Sequence, residues 1–143
     1  TVSAIYGLGT PQEYVDRMVR LRQAKVDGIR VPDLEVEDPD GDARVLVLGW
    51  GSTYGPINAA CQISRRAGSP VAQAHLRHLN PFPANTAEVL RRYDKVVIPE
   101  MNLGQLSRLL RAEFLVDAKS ITKVTGQPFT AAEMVNNIME AVR

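Results

Sequence analysis

The sequence predicts a single α/β domain, a three-layer α/β/α sandwich with a mainly parallel sheet. Three observations carry that expectation. Short apolar runs such as Val45-Leu46-Val47-Leu48 and Lys95-Val96-Val97-Ile98-Pro99 read as strands buried on both faces. Segments of about ten residues with helical periodicity separate them, the alternation of βαβ units. The length of 143 residues suits one well-buried core.

Taken in order, residues 1–43 form an N-terminal helix and an acidic connector, and residues 44–143 the main domain. Thr10-Pro11-Gln12-Glu13 supplies an N-cap, a proline at the first helical position and the glutamate of a capping box. Val15, Met18, Val19 and Val26 share a face of that helix, and Gly28 is placed to end it in a left-handed cap. The acidic stretch Val31 to Asp42 reads as an exposed connector with a short edge strand at Leu34 to Val36. Val45 to Leu48 is the first strand of the main domain, and Pro56 to Ala67 a helix followed by Gly68. Val71 to Leu76 is the next strand, Thr86 to Tyr93 a helix, Lys95 to Pro99 a strand and Leu103 to Glu113 a helix, with Leu103, Leu106, Leu109 and Leu110 as its apolar face. Phe114-Leu115-Val116-Asp117 reads as the fourth strand. Thr130-Ala131-Ala132-Glu133 is a second capping box, opening a helix to about Val142.

Composition narrows the function classes. Seventeen Lys and Arg against sixteen Asp and Glu leave a net charge of +1, with no electrostatic footprint of a nucleic-acid or membrane-surface binder. No apolar run approaches the length of a transmembrane helix, and Thr1 to Tyr6 lacks the pattern of a signal peptide. Cys61 is the only cysteine, too few for an internal disulfide, an iron–sulfur cluster or a thiolate-rich zinc site. These readings point to the cytoplasm and to a domain without its own metal. The absence of an initial Met suits a fragment or a processed chain.

Three loops beyond the carboxyl ends of the strands are candidates for contact with a ligand or partner. The first, Gly49-Trp50-Gly51-Ser52-Thr53-Tyr54-Gly55, joins glycines that permit close backbone approach to the N-terminus of a helix, with Ser52 and Thr53 as hydroxyl donors. It is either a tight βα turn or an anion- or partner-contacting loop. Its GxGxxxG spacing differs from the dinucleotide fingerprint, and Ala74-His75-Leu76-Arg77 stands where that fingerprint needs an acidic residue, so a nicotinamide or flavin site is not expected. The second, His75 to Pro83, holds both histidines, with no carboxylate or thiol nearby in sequence to complete a metal site. One reads as a hydrogen-bonded structural histidine and the other as exposed. Pro81-Phe82-Pro83 reads as a rigid apolar ridge suited to docking. In the third, Pro99 to Gln105, Asn102 can cap the next helix, while Glu100 is a carboxylate ending a buried strand. Cys61, among Ile57, Ala60 and Ile63, reads as buried and inert. His78, Asn80, Pro81, Phe82, Glu100, Asn102 and Gln105 form a candidate protein interface rather than an active site, because no nucleophile, acid or base converges on them.

These three loops, with Arg20-Leu21-Arg22-Gln23-Ala24-Lys25 and Lys123-Val124-Thr125-Gly126-Gln127-Pro128-Phe129 flanking them, resemble in order and spacing the α subunits of 2-oxoglutarate:ferredoxin oxidoreductases (2-oxoglutarate synthases), in the 2-oxoacid:ferredoxin oxidoreductase family. The resemblance covers roughly residues 15–140. It implies a fold like the transketolase C-terminal domain, and a parent enzyme that decarboxylates a 2-oxoacid with thiamine diphosphate and Mg, transfers the acyl group to coenzyme A and reduces ferredoxin through an iron–sulfur cluster. It further implies that these cofactors lie in other α domains and in the β subunit, that the enzyme is a homodimer of αβ heterodimers, and that this region is a non-catalytic scaffold and interface domain. Residues 1–14 match the family weakly, and Ser120-Ile121-Thr122 stands where relatives have a tyrosine-containing stretch. The alternatives are the C-terminal domain of a pyruvate-dehydrogenase-type or deoxyxylulose-phosphate-synthase-type enzyme, and a stand-alone anion- or nucleotide-binding module using the Gly49–Gly55 loop.

Overall fold

The computed structural model describes residues 10–142. Helix α1 (Pro11–Asp27) opens with the expected capping box: Thr10 N–H donates to Glu13 at 2.6 Å, and Glu13 N–H to the Thr10 hydroxyl at 3.3 Å. It ends at Gly28 with φ −77°, a right-handed geometry, so the expected left-handed cap is corrected. The Gly28 N–H still reaches Ala24 O. None of its residues is buried, and Val15 and Val19 are more than half exposed, so the apolar stripe does not enter the core.

The connector contributes to the sheet. Strand β1 (Val36–Glu37) starts two residues later and ends one residue later than expected, and pairs antiparallel with β3 (Val71–Leu76). Leu34 is buried beside it, its backbone held in both directions by one side chain: Leu34 N–H donates to Asn85 Oδ1 at 2.7 Å, and Asn85 Nδ2 donates to Leu34 O at 3.0 Å.

Four parallel strands complete the sheet, in the order β1-β3-β2-β4-β5, with β2 (Val45–Trp50), β4 (Lys95–Glu100) and β5 (Ala118–Thr122). Alternation along β2 divides the core. Val45 and Val47 face α2 (Tyr54–Arg66) and α5 (Ala131–Val142), packing with Ile57, Cys61, Met134 and Ile138. Leu46 and Leu48 face α3 (Thr86–Arg91) and α4 (Gln105–Phe114), packing with Val89, Leu90, Leu106 and Leu110. Both faces of the sheet are therefore covered, as the near-continuous apolar strands require. Side chains fix the edges: Arg65 donates to Val71 O at 2.8 Å and pairs with Glu37, tying α2 to β3 and β1. Lys95 Nζ donates to Ala141 O at 2.9 Å, satisfying a carbonyl in the last turn of α5.

The fourth parallel strand is not Phe114–Asp117. Helix α4 continues through Phe114, and Leu115 closes it in the left-handed conformation (φ 53°, ψ 42°), 88% exposed. β5 begins three residues later, at Ala118.

Candidate functional site

β2 is the middle strand of the five-stranded sheet. From its end the chain turns onto one face, into α2, and from the end of neighbouring β4 onto the other, into α4. The two loops part here, and diverging loops at the carboxyl ends of strands open a crevice. Trp50, Gly51, Ser52, Thr53, Met101 and Asn102 line a crevice of about 230 Å³ at that point.

The first loop is a turn of 3-10 helix, Gly51–Thr53, leading directly into α2, which starts at Tyr54 and therefore contains Gly55 and Pro56. Thr53 closes the turn, accepting from Trp50 N–H at 3.2 Å and donating to Trp50 O at 2.8 Å. Gly51 has φ +58°, where a Cβ is unfavourable, yet nothing lies within 4 Å of the place a Cβ would take. Gly49 is the opposite case. A Cβ there would stand 2.7 Å from Ile57 Cδ1 and 2.8 Å from His75 Nδ1, so the bare glycine makes room for the histidine of the next strand.

His75 is half-buried with its ring edge-on to Tyr54, the centroids 5.3 Å apart. Its Nδ1 is buried with no partner at full hydrogen-bond geometry, while the Gly51 backbone stands close enough to the ring for a looser hydrogen bond, so the expected hydrogen-bonded histidine is met only loosely. Burial pushes its pKa below the usual histidine value, opposed by the Gly51 backbone. His78 is exposed and lines a separate groove of about 250 Å³ with Pro32, Leu34 and Pro83.

The loop after β4 is built around Glu100. This carboxylate is 0% exposed, which corrects its placement on an outer interface. Leu106 N–H donates to its Oε2 at 2.8 Å, and Ser107 N–H and the Ser120 hydroxyl donate to Oε1, both at 3.1 Å. Asn102 Oδ1 takes the preceding pair, Gly104 N–H at 2.8 Å and Gln105 N–H at 2.9 Å. Two side chains thus satisfy four consecutive donors at the start of α4. Glu100, Asn102 and Thr53 all serve in holding the loops.

The Pro81-Phe82-Pro83 ridge points inward rather than out. Phe82 packs edge-on to Phe114 at 5.4 Å and against the α3/α4 side of the core, and Pro83 is buried. The Asn80-Pro81 peptide is cis. His78, Asn80 and Gln105 remain exposed, Pro81 and Asn102 half so. The loops carrying them flank the end of β2 rather than sharing one edge of the sheet. Sequence reasoning missed the roles of Ser120 and Asn85: each is a polar residue whose hydrogen bonds reach a segment distant in the chain.

The donor set fits no iron–sulfur cluster. Among the described residues no group of three His, Cys, Asp or Glu side chains is arranged to hold a metal, and Cys61 is fully buried with its thiol pushed up to about 12 by desolvation.

Comparison with known proteins gives this arrangement a family. Residues 43–134 match the family described as pyruvate:ferredoxin oxidoreductase core domain II. Over 127 residues, 89% of the chain, the sequence is 64% identical to the 2-oxoglutarate oxidoreductase subunit KorA of Mycobacterium tuberculosis, of which that match is 19%. The 2-oxoglutarate:ferredoxin oxidoreductase of Magnetococcus marinus, solved with 2-oxoglutarate, coenzyme A and succinyl-CoA bound, superposes with a TM-score of 0.79 and 31% identity, over 94% of this chain and 24% of that one. A split-gene transketolase, 18% identical over 80% of this chain and 43% of that one, shares the fold with a TM-score of 0.59. The chain therefore spans about a fifth to a quarter of the length of these two oxidoreductase chains. A stretch of 22 residues is also 91% identical to 3% of the UvrABC system protein B of Beutenbergia cavernae, too small a share to carry that protein's function. With a matching family model over most of its length and the expected transketolase-like sheet, the chain belongs to the pyruvate:ferredoxin oxidoreductase core domain II family.

Proposed function

We propose that the chain is the scaffold and interface domain of the α subunit of a thiamine-diphosphate-dependent 2-oxoglutarate:ferredoxin oxidoreductase, contributing no catalytic group itself. The observation that carries this reading is the 64% identity over 127 residues to a 2-oxoglutarate oxidoreductase α-type subunit. The site geometry supports it: the Thr53 hydroxyl, the Asn102 amide oxygen and the Glu100 carboxylate of the two crevice loops are occupied in local hydrogen bonds. The names of the relatives favour this reading over the pyruvate-dehydrogenase-type and stand-alone alternatives.

In this reading the remaining α domains and a β subunit hold thiamine diphosphate, Mg and the iron–sulfur cluster, in a homodimer of αβ heterodimers in the cytoplasm. When bound there, these groups supply decarboxylation and electron transfer, with coenzyme A as acyl acceptor and ferredoxin as electron acceptor. Among the described residues no helix is long and apolar enough to cross a membrane. This domain's part is to present the Gly49–Gly55 loop, with Trp50 and Ser52 at the crevice, and the exposed His78, Asn80 and Gln105 to the other domains.

The test is reconstitution. The oxidoreductase lacking this domain, supplied with the chain in trans, is expected to recover 2-oxoglutarate-dependent ferredoxin reduction, while the chain alone shows none. Stoichiometric thiamine diphosphate bound to the purified chain alone would overturn the non-catalytic assignment.

A further inference from the structure

We propose that the free edge of β5 takes an added strand, an extended acidic segment supplied by the remainder of the oxidoreductase. This rests on the reading above, that the chain is one domain of a larger enzyme.

The two edges of the sheet are finished differently. The β3 edge is covered by β1, part of the acidic connector, whereas no strand among the described residues covers β5. Register tells which backbone groups this leaves open. Lys123 N–H donates to Glu100 O at 2.9 Å, so Lys119, Ile121 and Lys123 turn their backbone groups towards β4. Ser120 and Thr122 between them turn both N–H and C=O outward, and neither N–H finds an acceptor elsewhere among the described residues.

A row of open backbone groups along a sheet edge is a template for another strand, and edges that stay free are usually shortened, bulged or broken by proline. β5 runs five residues in unbroken register with β4 and contains no proline. Its one guard is Lys119, exposed on the face opposite Ser120. That charge repels a basic strand and admits an acidic one.

The surroundings select the same charge. A groove of about 390 Å³ runs between α4 and β5, and Arg108, Arg111 and Lys119 line it against a single carboxylate, Asp117. Asp117 stands 3.7 Å from Arg111, while Arg108 and Lys119 pair with no carboxylate among the described residues. Cations in excess on one side of a docking surface favour an acidic partner. The opposite edge of the same sheet already shows the mode. There Arg65, from a helix packed on the sheet, pairs with the Glu37 carboxylate of β1 and donates to Glu37 O at 3.0 Å. A carboxylate-bearing strand laid on β5 meets Arg108 and Arg111 of α4 in the corresponding relation of helix to edge strand. The source is the enzyme's own remainder, since the match to the mycobacterial subunit takes up only 19% of that relative. A second copy paired through β5 would instead set these cations against their own counterparts.

The experiment titrates the oxidoreductase lacking this domain with the 143-residue chain, follows association by calorimetry and reads backbone hydrogen exchange residue by residue. The Ser120 and Thr122 amides are expected to exchange at least tenfold more slowly in the complex, while those of Lys119 and Ile121, already turned to β4, change less. Arg108→Glu combined with Lys119→Glu is expected to weaken association at least tenfold and to leave the melting temperature of the chain unchanged. Arg108→Gln with Lys119→Gln replaces that pair should it fail to fold. Association that leaves exchange at Ser120 and Thr122 unchanged overturns the strand assignment and leaves the oxidoreductase reading standing. Protection there with association unmoved by the charge reversal overturns the acidic segment. Protection of the same amides in the chain alone, at doubled mass, gives the edge to a second copy and overturns the proposal. A folded wild-type chain that does not associate overturns both.

Discussion

Ser120 donates its hydroxyl proton to Glu100 Oε1 at 3.1 Å, joining β5 to the end of β4 beneath the first turn of α4. The same carboxylate takes two N–H groups of that turn. One buried side chain thus fixes the spacing of two strands and a helix, and with it the loop that forms one wall of the crevice.

Replacing Glu100 is therefore a change in stability before it is a change in partner contact. Glu100→Ala leaves two buried N–H donors and the part-buried Ser120 hydroxyl without an acceptor and is expected to cost about 2–4 kcal/mol. Urea unfolding of the variant measures this directly. Ser120→Ala removes one of the three bonds and is expected to cost about 1 kcal/mol. A Glu100→Ala chain with an unchanged unfolding midpoint would show that the network is not needed.

The glycines of the first loop separate two kinds of constraint. At Gly49 the obstacle is space, since a Cβ meets Ile57 and His75 at under 3 Å; at Gly51 it is φ alone, with open space around it. Gly49→Ala is expected to lose about 1–3 kcal/mol through overpacking. Gly51→Ala loses about 1 kcal/mol, and Gly51→Val about 1–3 kcal/mol because a branched side chain tolerates positive φ least. Thermal melts of the three variants test the order, and Gly49→Ala as stable as Gly51→Ala would contradict it.

The layers and most strands were legible in the sequence because burial on both faces leaves runs such as Val45–Leu48 with almost no polar residue. Both capping boxes were legible for a local reason, since donor and acceptor lie three residues apart. The end of α4 was not. A leucine in the left-handed cap gives none of the signal a glycine would, so the apolar Phe114-Leu115-Val116 looked like a strand. β5 itself reads Ala-Lys-Ser-Ile-Thr, the mixed pattern of an edge strand. Glu100 looked like a surface carboxylate because its donors, Leu106, Ser107 and Ser120, lie six, seven and twenty residues away, beyond the three-residue spacing of a capping box. Phe82 looked like a docking anchor because its packing partner, Phe114, is equally remote.

Glu133 gives the chain a pH dependence of known sign. Hydrogen bonds from Lys123, then from the Thr130 backbone and hydroxyl, hold its pKa down from 4.5 to about 2. A carboxylate with a depressed folded-state pKa stabilises the fold above its unfolded value and loses that contribution as pH falls towards the folded one. The stability difference between the wild type and Glu133→Gln is expected to be full above pH 4.5 and to shrink steadily between about pH 4.5 and pH 2. Urea midpoints measured across that range would expose a difference that is flat with pH, which contradicts the pairing.

The last prediction concerns the surface that remains for a partner. Phe82→Ala cannot report on an interface, because the ring is spent on Phe114 and the core. Its loss is expected to cost about 2–3 kcal/mol of folding stability in the chain alone. His78 and Gln105 are exposed on the two loops flanking the end of β2, and neither side chain donates or accepts a hydrogen bond within the described residues. His78→Ala combined with Gln105→Ala should therefore leave the melting temperature of the chain unchanged, as surface substitutions away from structural contacts do. If these loops meet the other domains, the same pair weakens association with the rest of the oxidoreductase, and turnover per assembled complex stays at the wild-type level. Size-exclusion chromatography with turnover measured on the assembled fraction separates the outcomes. Full assembly with turnover down a hundredfold would place one of the two side chains in the chemistry, and full assembly with full turnover would move the interface to another face of the domain.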